Sequence, residues 1–470
     1  MRKTKIIGTI GPASSDYQTL KQLVLAGLNV VRINLSHATL DGMNNILENV
    51  KKLREELNCP LPIMIDTRGP EIRVKKFENG EVTIKKGQLF TFTSKDIIGN
   101  NEIVSFNEPE IVKCIKPNGK ILACNGLITF KVLEVTNTEV KTKALNSGVI
   151  SNHKSLSIPG IKYNTPYLNN ADKRDILWGI ENDIDFVAAS FVNCADDVNV
   201  LKEFLNSHNS QMKIISKIES AYGVKNLDEI INVSDGIMVA RGDLGVEVPI
   251  STLPKLQKLI IRKTRDIGKI VIVATEMLES MIYNNRPTRA EVSDVANAVY
   301  DGTSVIMLSG ETAMGKFPVE AVKQMAKIAE ETEKHINYSK RFAGSSYKLE
   351  NITDVISHSA VNASFLQKVK AIVVFTNKGE SARMVSRFRP VSKILATTPD
   401  LKTYRQLEMS WGVIPHLTPV YNSTDQMFEM ANDYVKQLNL AHAGNSIVIT
   451  CGTPKKPGCT NLIKIETVKE

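Results

Sequence analysis

Two acids and a lysine fall close together in one part of the chain. Lys217 and Glu219 lie in Lys213-Ile-Ile-Ser-Lys-Ile-Glu219, and Asp243 lies in Asp235-Gly-Ile-Met-Val-Ala-Arg-Gly-Asp-Leu-Gly-Val-Glu-Val-Pro249. Each group follows a short apolar run, Ile214–Ile215 or Ile237–Ala240. A buried parallel strand reads as such a run, and function sits just past its carboxyl end. Carboxylates delivered there suit a hard divalent cation, and a lysine meets phosphate as a point charge. A structural salt bridge between neighbouring strands would leave the same pattern.

Other apolar runs end in the same way. They supply Arg32, Asn34 and Ser36; Asp66 and Thr67; Thr275 and Glu276; and Ser309 and Glu311. If all of these were structural pairs at one edge, buried polar groups would go unsatisfied. Glu219 and Asp243 are the natural ligands of magnesium or manganese, and Arg32 and Lys217 the natural phosphate partners. Gly242 opens a possible helix N-terminus whose N–H groups could hold a carboxylate. Asn34, Ser36, Asp66 and Thr67 form an oxygen-rich group with one formal charge, suited to a monovalent cation or to ordinary turn and cap chemistry. Gly310-Glu-Thr-Ala-Met-Gly-Lys-Phe317 nearly spells a phosphate loop, but Phe317 stands where the magnesium-holding hydroxyl belongs, so no nucleotide is assigned to it.

These residues need elements to carry them. Strand-like and helix-like segments alternate from Lys5–Ile10 to a helix over Pro318–Lys334, with strands at Val30–Asn34, Pro62–Ile65, Phe186–Ala189, Lys213–Ile218, Gly236–Ala240, Ile270–Ala274 and Ser304–Leu308. Helices are expected between them, among them Leu40–Leu57, Asp172–Asn182, Val224–Val233 and Glu291–Tyr300. Eight strands each followed by a helix is the count of a closed (β/α)8 barrel, with a doubly wound open sheet as the structural alternative. From Glu71 to about Lys162 the texture changes to short β-type segments and turns such as Asn79-Gly80, which predicts a small all-β domain inserted into the α/β one. After Ile336-Asn-Tyr-Ser-Lys the composition is linker-like, and a separate α/β domain follows.

At 470 residues the chain is long enough for about two or three domains. The net charge of +9 comes from scattered Lys and Arg, and aromatics are only 6%, so a taste for phosphorylated metabolites fits better than a nucleic-acid groove. The cysteines, Cys59, Cys114, Cys124, Cys194, Cys451 and Cys459, show neither zinc spacing nor a disulfide framework. With no apolar run of membrane-spanning length and no signal-like start, a soluble cytoplasmic protein is expected.

Several long motifs, in order, resemble the pyruvate kinase family along nearly the whole chain. They are Thr9-Ile-Gly-Pro-Ala-Ser14, Val31-Arg-Ile-Asn-Leu-Ser-His37, Asp66-Thr-Arg-Gly-Pro-Glu-Ile-Arg73, Ser190-Phe-Val192, Ile215–Glu219, Asp235–Pro249, Ala274-Thr-Glu-Met-Leu-Glu-Ser-Met281, Arg286-Pro-Thr-Arg-Ala-Glu291 and Ser309-Gly-Glu-Thr-Ala313. The resemblance implies a (β/α)8 TIM barrel formed by residues 1–70 and 163–338, an inserted small β-barrel lid over 71–162, and a C-terminal α/β domain over 339–470 for regulation and oligomerisation. It implies transfer of the phosphoryl group of phosphoenolpyruvate to ADP, giving ATP and enolpyruvate, which is protonated to pyruvate.

On the matching positions, Glu219 and Asp243 would bind Mg2+ or Mn2+, and Lys217 would stabilise the phosphoryl group in flight. Arg32 would hold phosphate, the Gly242 and Asp243 backbone the substrate carboxylate. Thr275 would sit by the carbon that gains the proton, with Ser309 and Glu311 organising its supply. Asn34, Ser36, Asp66 and Thr67 match the family's potassium site, and Glu71 marks its potassium-dependent members. Asn34, His37, Arg73 and Lys154 would face the nucleotide, with the inserted domain as lid. Thr376-Asn-Lys-Gly-Glu-Ser-Ala-Arg383 is similar to the family's loop for an effector phosphate, with Thr376, Asn377, Lys378, Gly379 and Ser381 as candidates and Gly458-Cys-Thr-Asn461 in support. Hydroxyls and N–H groups in a Gly-containing turn suit phosphate, and a plain strand–turn–helix connection would look the same. A homotetramer is implied.

The chain also departs from the family's usual pattern. Cys124-Asn125-Gly126 stands where the lid usually reads Asp-Asp-Gly, Lys154-Ser-Leu-Ser-Ile-Pro159 replaces Lys-Gly-x-Asn-Leu-Pro, Glu276 replaces Gln, and Asn193 stands where Arg is common. These bear on lid closure and rate rather than on reaction type. Two other readings stay open: another magnesium-dependent, enolate-forming barrel enzyme, and a non-catalytic relative that binds phosphorylated metabolites.

Overall fold

The structure is a computed structural model that describes residues 2–161, 166–345, 347–453 and 460–470. Eight parallel strands close into a barrel: β1 (Lys5–Thr9), β2 (Val30–Asn34), β3 (Ile63–Asp66), β4 (Phe186–Ala189), β5 (Lys213–Ile218), β6 (Gly236–Ala240), β7 (Ile270–Ala274) and β8 (Val305–Leu308). Each neighbours the next in sequence, and β8 pairs with β1. The strands are short and apolar because both faces are covered. Their inward residues Ile7, Val30, Met64, Phe186, Ile215, Met238 and Ile272 fill the barrel's centre. The outward ones, such as Ile6, Val31, Ile65 and Val239, pack under the ring of helices. The doubly wound alternative is thereby excluded.

Between β3 and β4 lies the predicted all-β insertion. It is a seven-stranded sheet whose edges, near Ile72–Arg73 and Ile103–Ser105, are joined by an antiparallel bridge between Val74 and Phe106. The sheet so curls around Phe90, Phe92 and Phe130, whose rings meet at 5.2–5.7 Å between centroids. A two-stranded ribbon, Glu81–Ile84 with Gly148–Ser151, completes it. The expected junction near residues 162 and 163 lies outside the described residues.

The chain then forms a five-stranded sheet, mostly parallel, with an antiparallel edge strand Leu462–Thr467. Two details differ from the expected elements. The linker-like stretch after Ile336 is helical over Tyr338–Ala343, because Tyr338 and Phe342 are buried and Asn337 caps the helix by accepting from Lys340 N. The helix expected over Val224–Val233 is two pieces, Ala221–Lys225 and Leu227–Val233, broken at Asn226. The Asn226 side chain donates to Asn193 O at 2.9 Å, which anchors that corner to the loop after β4.

Candidate active site

Strand register brings the expected polar groups to one end of the barrel. Asn34 and Asp66 are direct partners on β2 and β3, and Thr9 pairs with Arg32 on β1 and β2. Arg32 donates through Nε to Asp66 Oδ2 at 2.7 Å and through Nη1 to Thr9 Oγ1 at 2.7 Å. Lys217 Nζ donates to Asp66 Oδ1 at 3.0 Å and to Ser190 Oγ at 2.7 Å, and lies 2.9 Å from Glu219 Oε1. Burial alone would raise the Asp66 carboxyl, but Arg32 and Lys217 outweigh it and hold it below its ordinary range. Burial likewise opposes the Lys217 charge, and Asp66 and Glu219 outweigh it, so the amine stays firmly protonated.

Glu219 and Asp243 are in the opposite situation. Burial pushes the Glu219 carboxyl up to about 7, with Lys217 opposing and Asp243 adding to the rise. Asp243, in contact with Glu219, is raised by burial and by Glu71. Glu219 Oε2 accepts from Phe191 N at 2.6 Å, and the buried Oε1 faces only the shared Lys217 amine, at 2.9 Å. Two touching buried carboxyls that share one lysine, itself also held by Asp66, need a proton or a further cation between them. The donor set therefore fits a hard divalent ion, which takes one or two protein carboxylates and completes its shell with substrate oxygens and water. Among the described residues no cluster of three or more acids, histidines or cysteines exists to hold an ion without such help.

The third wall is the turn after β7. Thr275 and Glu276 both have positive φ, 67° and 54°, a costly conformation for a β-branched residue. Three contacts over-determine it. Gly242 N donates to Thr275 Oγ1 at 2.8 Å, Arg241 Nη2 donates to Thr275 O at 2.7 Å, and the same nitrogen donates to Glu276 O at 2.9 Å. Arg241 is fixed by Asp294 at 2.6 Å, on the helix Arg289–Asp301 that Thr288 and Glu291 start with a capping box. Glu311, buried, accepts from Leu278 N at 3.0 Å and from its own turn's Ser309 N at 2.7 Å, so it holds β8's end to the same loop. This fixes the segment Gly310–Ala313 as a short helix tied by its acid.

Asn34, Ser36, Asp66 and Thr67 lie on adjacent strand ends. Asn34 Oδ1 accepts from Ser36 N at 3.2 Å, and Thr67 Oγ1 accepts from Ser190 N at 3.1 Å. The resulting set of side-chain oxygens around one carboxylate has the donors a monovalent cation takes. On the lid side, Arg73 donates to Glu71 Oε2 from two nitrogens, at 2.7 and 2.9 Å, and to His153 O at 2.9 Å. His37 and Lys154 are exposed, and the His37 imidazole is lowered by burial and then by Arg73, Arg32, Arg68 and Lys154. Four cations thus surround one rim, where an anionic ligand would dock. A narrow cleft runs between lid and barrel, lined by Glu71, Asn125, Asp243 and Glu247 among others. Ser157 of the lid bonds Glu247 of the barrel across it.

In the C-terminal sheet, Thr376 Oγ1 accepts from Gly379 N at 3.0 Å, and Gly379 has φ 79°. Ser381 bonds Thr460. Asn377 and Lys378 are exposed, and Gly458 and Cys459 lie outside the described residues.

Sequence reasoning did not single out Ser190, Thr9 or Arg241 as functional. Ser190 links Lys217, Asp66 and Thr67, its hydroxyl donating to Thr67 O at 2.7 Å. Its neighbour Gly69 signals the packing, since with φ 68° an added Cβ would lie 2.9 Å from Ser190 Cβ.

Comparison with known proteins gives a consistent result. The family model described as the pyruvate kinase barrel domain matches residues 1–322, and that described as the pyruvate kinase alpha/beta domain matches residues 354–466. A pyruvate kinase of Clostridium perfringens is 42% identical over 474 aligned residues, covering 100% of both chains. A pyruvate kinase of Geobacillus stearothermophilus is 42% identical over 100% of this chain and 81% of its own length. The crystal structure of a pyruvate kinase from Cryptosporidium parvum superposes with a TM-score of 0.94 at 35% identity, covering 99% of this chain and 96% of that one.

Proposed function

The chain belongs to the pyruvate kinase family, and on that premise we propose how its residues carry out the family's reaction. It is a phosphotransferase that moves the phosphoryl group of phosphoenolpyruvate to ADP, giving ATP and pyruvate, a step of glycolysis. The division of labour below rests on one observation: Lys217, Asp66, Glu219 and Asp243 form a continuous charged cluster at the carboxyl ends of β3, β5 and β6.

Lys217 is the phosphoryl-stabilising group. Its amine is held protonated by Asp66 and Glu219, and it is aimed by Ser190. Such transfers proceed mainly by positioning and by neutralising charge on the moving group. Arg32, locked by Asp66 and Thr9, holds phosphate beside it. Glu219 and Asp243 hold Mg2+ or Mn2+, which when bound neutralises phosphoryl oxygens and orients them. The Gly242 and Asp243 N–H groups lie at the start of the helix Arg241–Glu247 and receive the substrate carboxylate, for which Gly242 N must exchange its bond to Thr275 Oγ1. Thr275, strained and fixed by Arg241 and Gly242, faces the carbon to be protonated, while Ser309 and Glu311 position it and organise proton supply. Asn34, Ser36, Asp66 and Thr67 hold K+, with Glu71 the mark of that dependence. Asn34, His37, Arg73 and Lys154 face the nucleotide.

Residues 1–70 and 163–338 form the catalytic barrel, 71–162 the lid that excludes water, and 339–470 the regulatory and oligomerising part. A phosphorylated effector binds at Thr376, Asn377, Lys378, Gly379 and Ser381, the subunits assemble as a homotetramer, and the enzyme works in the cytoplasm. No helix of the described chain is long and apolar enough to cross a membrane. A coupled assay for pyruvate, omitting ADP, divalent metal and potassium in turn, tests the reading. Pyruvate formation that survives omission of ADP would instead identify an enolate-forming barrel enzyme of another kind, and binding without turnover a non-catalytic relative.

A further inference from the structure

The helix Arg241–Glu247, which carries Asp243 in its first turn, is also a seat for the lid. Two lid contacts fall on its last turn. Ser157 donates its hydroxyl to the Glu247 carboxylate, and Val246 packs on Gly126, where an added Cβ would lie 3.4 Å from Val246 Cγ1. The lid pieces involved are tied to each other: Cys124 N donates to Ser155 O at 3.1 Å, and Ser155 Oγ to Asn125 Oδ1 at 2.8 Å. The turn at 124–126 holds three successive left-handed residues, with φ of 56°, 54° and 82°. Two of them carry side chains, so their surroundings must hold the turn in shape.

Glu247 stands one helical turn beyond Asp243, so the two side chains share a face of the helix and line the same cleft. The half-buried Glu247 carboxylate has no cation among the groups that act on it. It is served instead by neutral donors from separate segments: the Ser157 hydroxyl and the Gly160 N–H from the lid, and the Ala221 N–H from the barrel. Ala221 follows closely on Glu219 and opens the helix Ala221–Lys225, so its N–H has no partner within that helix. Burial raises the Glu247 carboxyl, and these donors work against the rise. Glu219 and Asp243 close the neighbouring strands β5 and β6 and touch each other, so their spacing depends on how the segments behind them are joined. Glu247 makes that join, since it belongs to the helix of Asp243 and accepts from the turn that follows Glu219.

We infer that Glu247 is a positioning residue for the metal site, joining the segments that carry Glu219 and Asp243 and taking its remaining donors from the lid. It acts through those two carboxylates rather than on the ion itself, and the inference rests on their reading as the metal's ligands. With Ser157 in place the Glu247 carboxylate is held, and the two acids keep their spacing. When the lid lifts away, Glu247 loses Ser157 and Gly160 together, and the join slackens. Lid contact and metal binding therefore reinforce each other, and such coupling is reciprocal by thermodynamic necessity.

The test titrates Mn2+ into the full chain without nucleotide or phosphoenolpyruvate and reads free ion by electron paramagnetic resonance, with thermal melts alongside. It is run on wild type, Ser157→Ala, Ser157→Thr, Glu247→Gln, the double variant Ser157→Ala with Glu247→Gln, and Glu219→Gln. Ser157→Ala should weaken Mn2+ binding about three- to tenfold, part of what a hydrogen bond to a charged group is worth. Ser157→Thr keeps the hydroxyl and should stay within about twofold of wild type. The double variant should bind no more weakly than Glu247→Gln alone, because both changes cut one connection. In the reverse direction, Mg2+ should slow amide hydrogen exchange in the lid turn at 124–126 of wild type and not of Ser157→Ala. Wild-type Mn2+ affinity in Ser157→Ala, or losses that add in the double variant, would overturn the inference while leaving the metal ligands standing, provided Glu219→Gln has lost the ion. Undiminished binding in Glu219→Gln would overturn both the ligand assignment and the inference built on it. Ser157→Ala decides the matter even if Glu247→Gln fails to fold.

Discussion

Lys217 Nζ donates to Asp66 Oδ1 at 3.0 Å although the strands carrying them, β5 and β3, are separated by β4. The level residues on β4 are Ala188, paired with Asp66, and Ala189, paired with Ser216, and both are small enough to leave the lysine its path. The amine is therefore positioned from two sides, by Asp66 and by Glu219 at 2.9 Å. Lys217→Met should lower kcat by at least about 10²- to 10³-fold, the loss seen when a preorganised donor to developing charge is removed. Steady-state kinetics with saturating phosphoenolpyruvate, alongside a melt showing a folded protein, checks this. Near-normal turnover would end the assigned role.

The Glu219 carboxyl sits at about 7, above its ordinary value of 4.5, because burial and Asp243 disfavour its charge. For an acid raised in the folded state, the stabilising contribution is complete below 4.5 and fades as pH rises through about 7. Without divalent metal, the wild type should thus lose stability between pH 4.5 and pH 7, by roughly 1 to 3 kcal/mol from this group. Glu219→Gln should remove that slope and melt higher than wild type at pH 8 when metal is absent. Added Mg2+ should raise the wild-type melting temperature there and leave that of Glu219→Gln nearly unmoved. Parallel melts in chelator, across pH, decide it, and an identical pH slope in both proteins would contradict the account.

Arg241 spends its donors on holding two left-handed residues, Thr275 and Glu276, and is itself held by Asp294. Lysine cannot make this planar fork. Arg241→Lys should relax the turn, and a misplacement of about 1 Å costs about 10²-fold in rate. The loss should fall on kcat rather than KM if the turn positions Thr275 for proton delivery, and Asp294→Asn should reproduce part of it. Solvent deuterium exchange into pyruvate would report the same step directly. A change confined to KM would place the turn in substrate binding instead.

The charged residues that close strands could be read from the chain because apolar runs announce buried strands and polar groups just past them have few other reasons to be there. Lys217, Glu219, Asp243, Arg32 and Asp66 were legible in this way, and so was the eightfold alternation that positions them. Ser190 and Arg241 were not, because a serine or arginine beside a strand end carries no mark of which distant backbone it will meet. Ser190 acquires its role only when β3 and β5 come to flank β4, and Arg241 only when the turn after β7 adopts positive φ. The helix Tyr338–Ala343 was hidden for a related reason, since its polar composition conceals two buried aromatics that tertiary packing decides.

The floor of the barrel supplies a last expectation. Asp185, fully buried just before β4, accepts from Arg405 Nε at 2.6 Å, Arg54 Nη2 at 3.0 Å and Ile63 N at 2.9 Å. Arg405 and Lys402 come from the helix Leu401–Leu407, and Lys402 also donates to Ile184 O at 2.7 Å. This helix is therefore pinned to the barrel by charge-assisted bonds inside a largely dry contact. Arg405→Met keeps the volume of the side chain's stem but leaves Asp185 with Arg54 as its one remaining arginine contact. Breaking a buried pair from one side costs about 3–5 kcal/mol, and Arg54 should hold the loss near the lower figure. Urea unfolding followed by tryptophan fluorescence reads it, through Trp178 on the barrel and Trp411 in the C-terminal part. The two probes should coincide in wild type and separate in Arg405→Met as the weakened contact uncouples the parts. A single unshifted transition would show that the Asp185 cluster contributes little to holding them together.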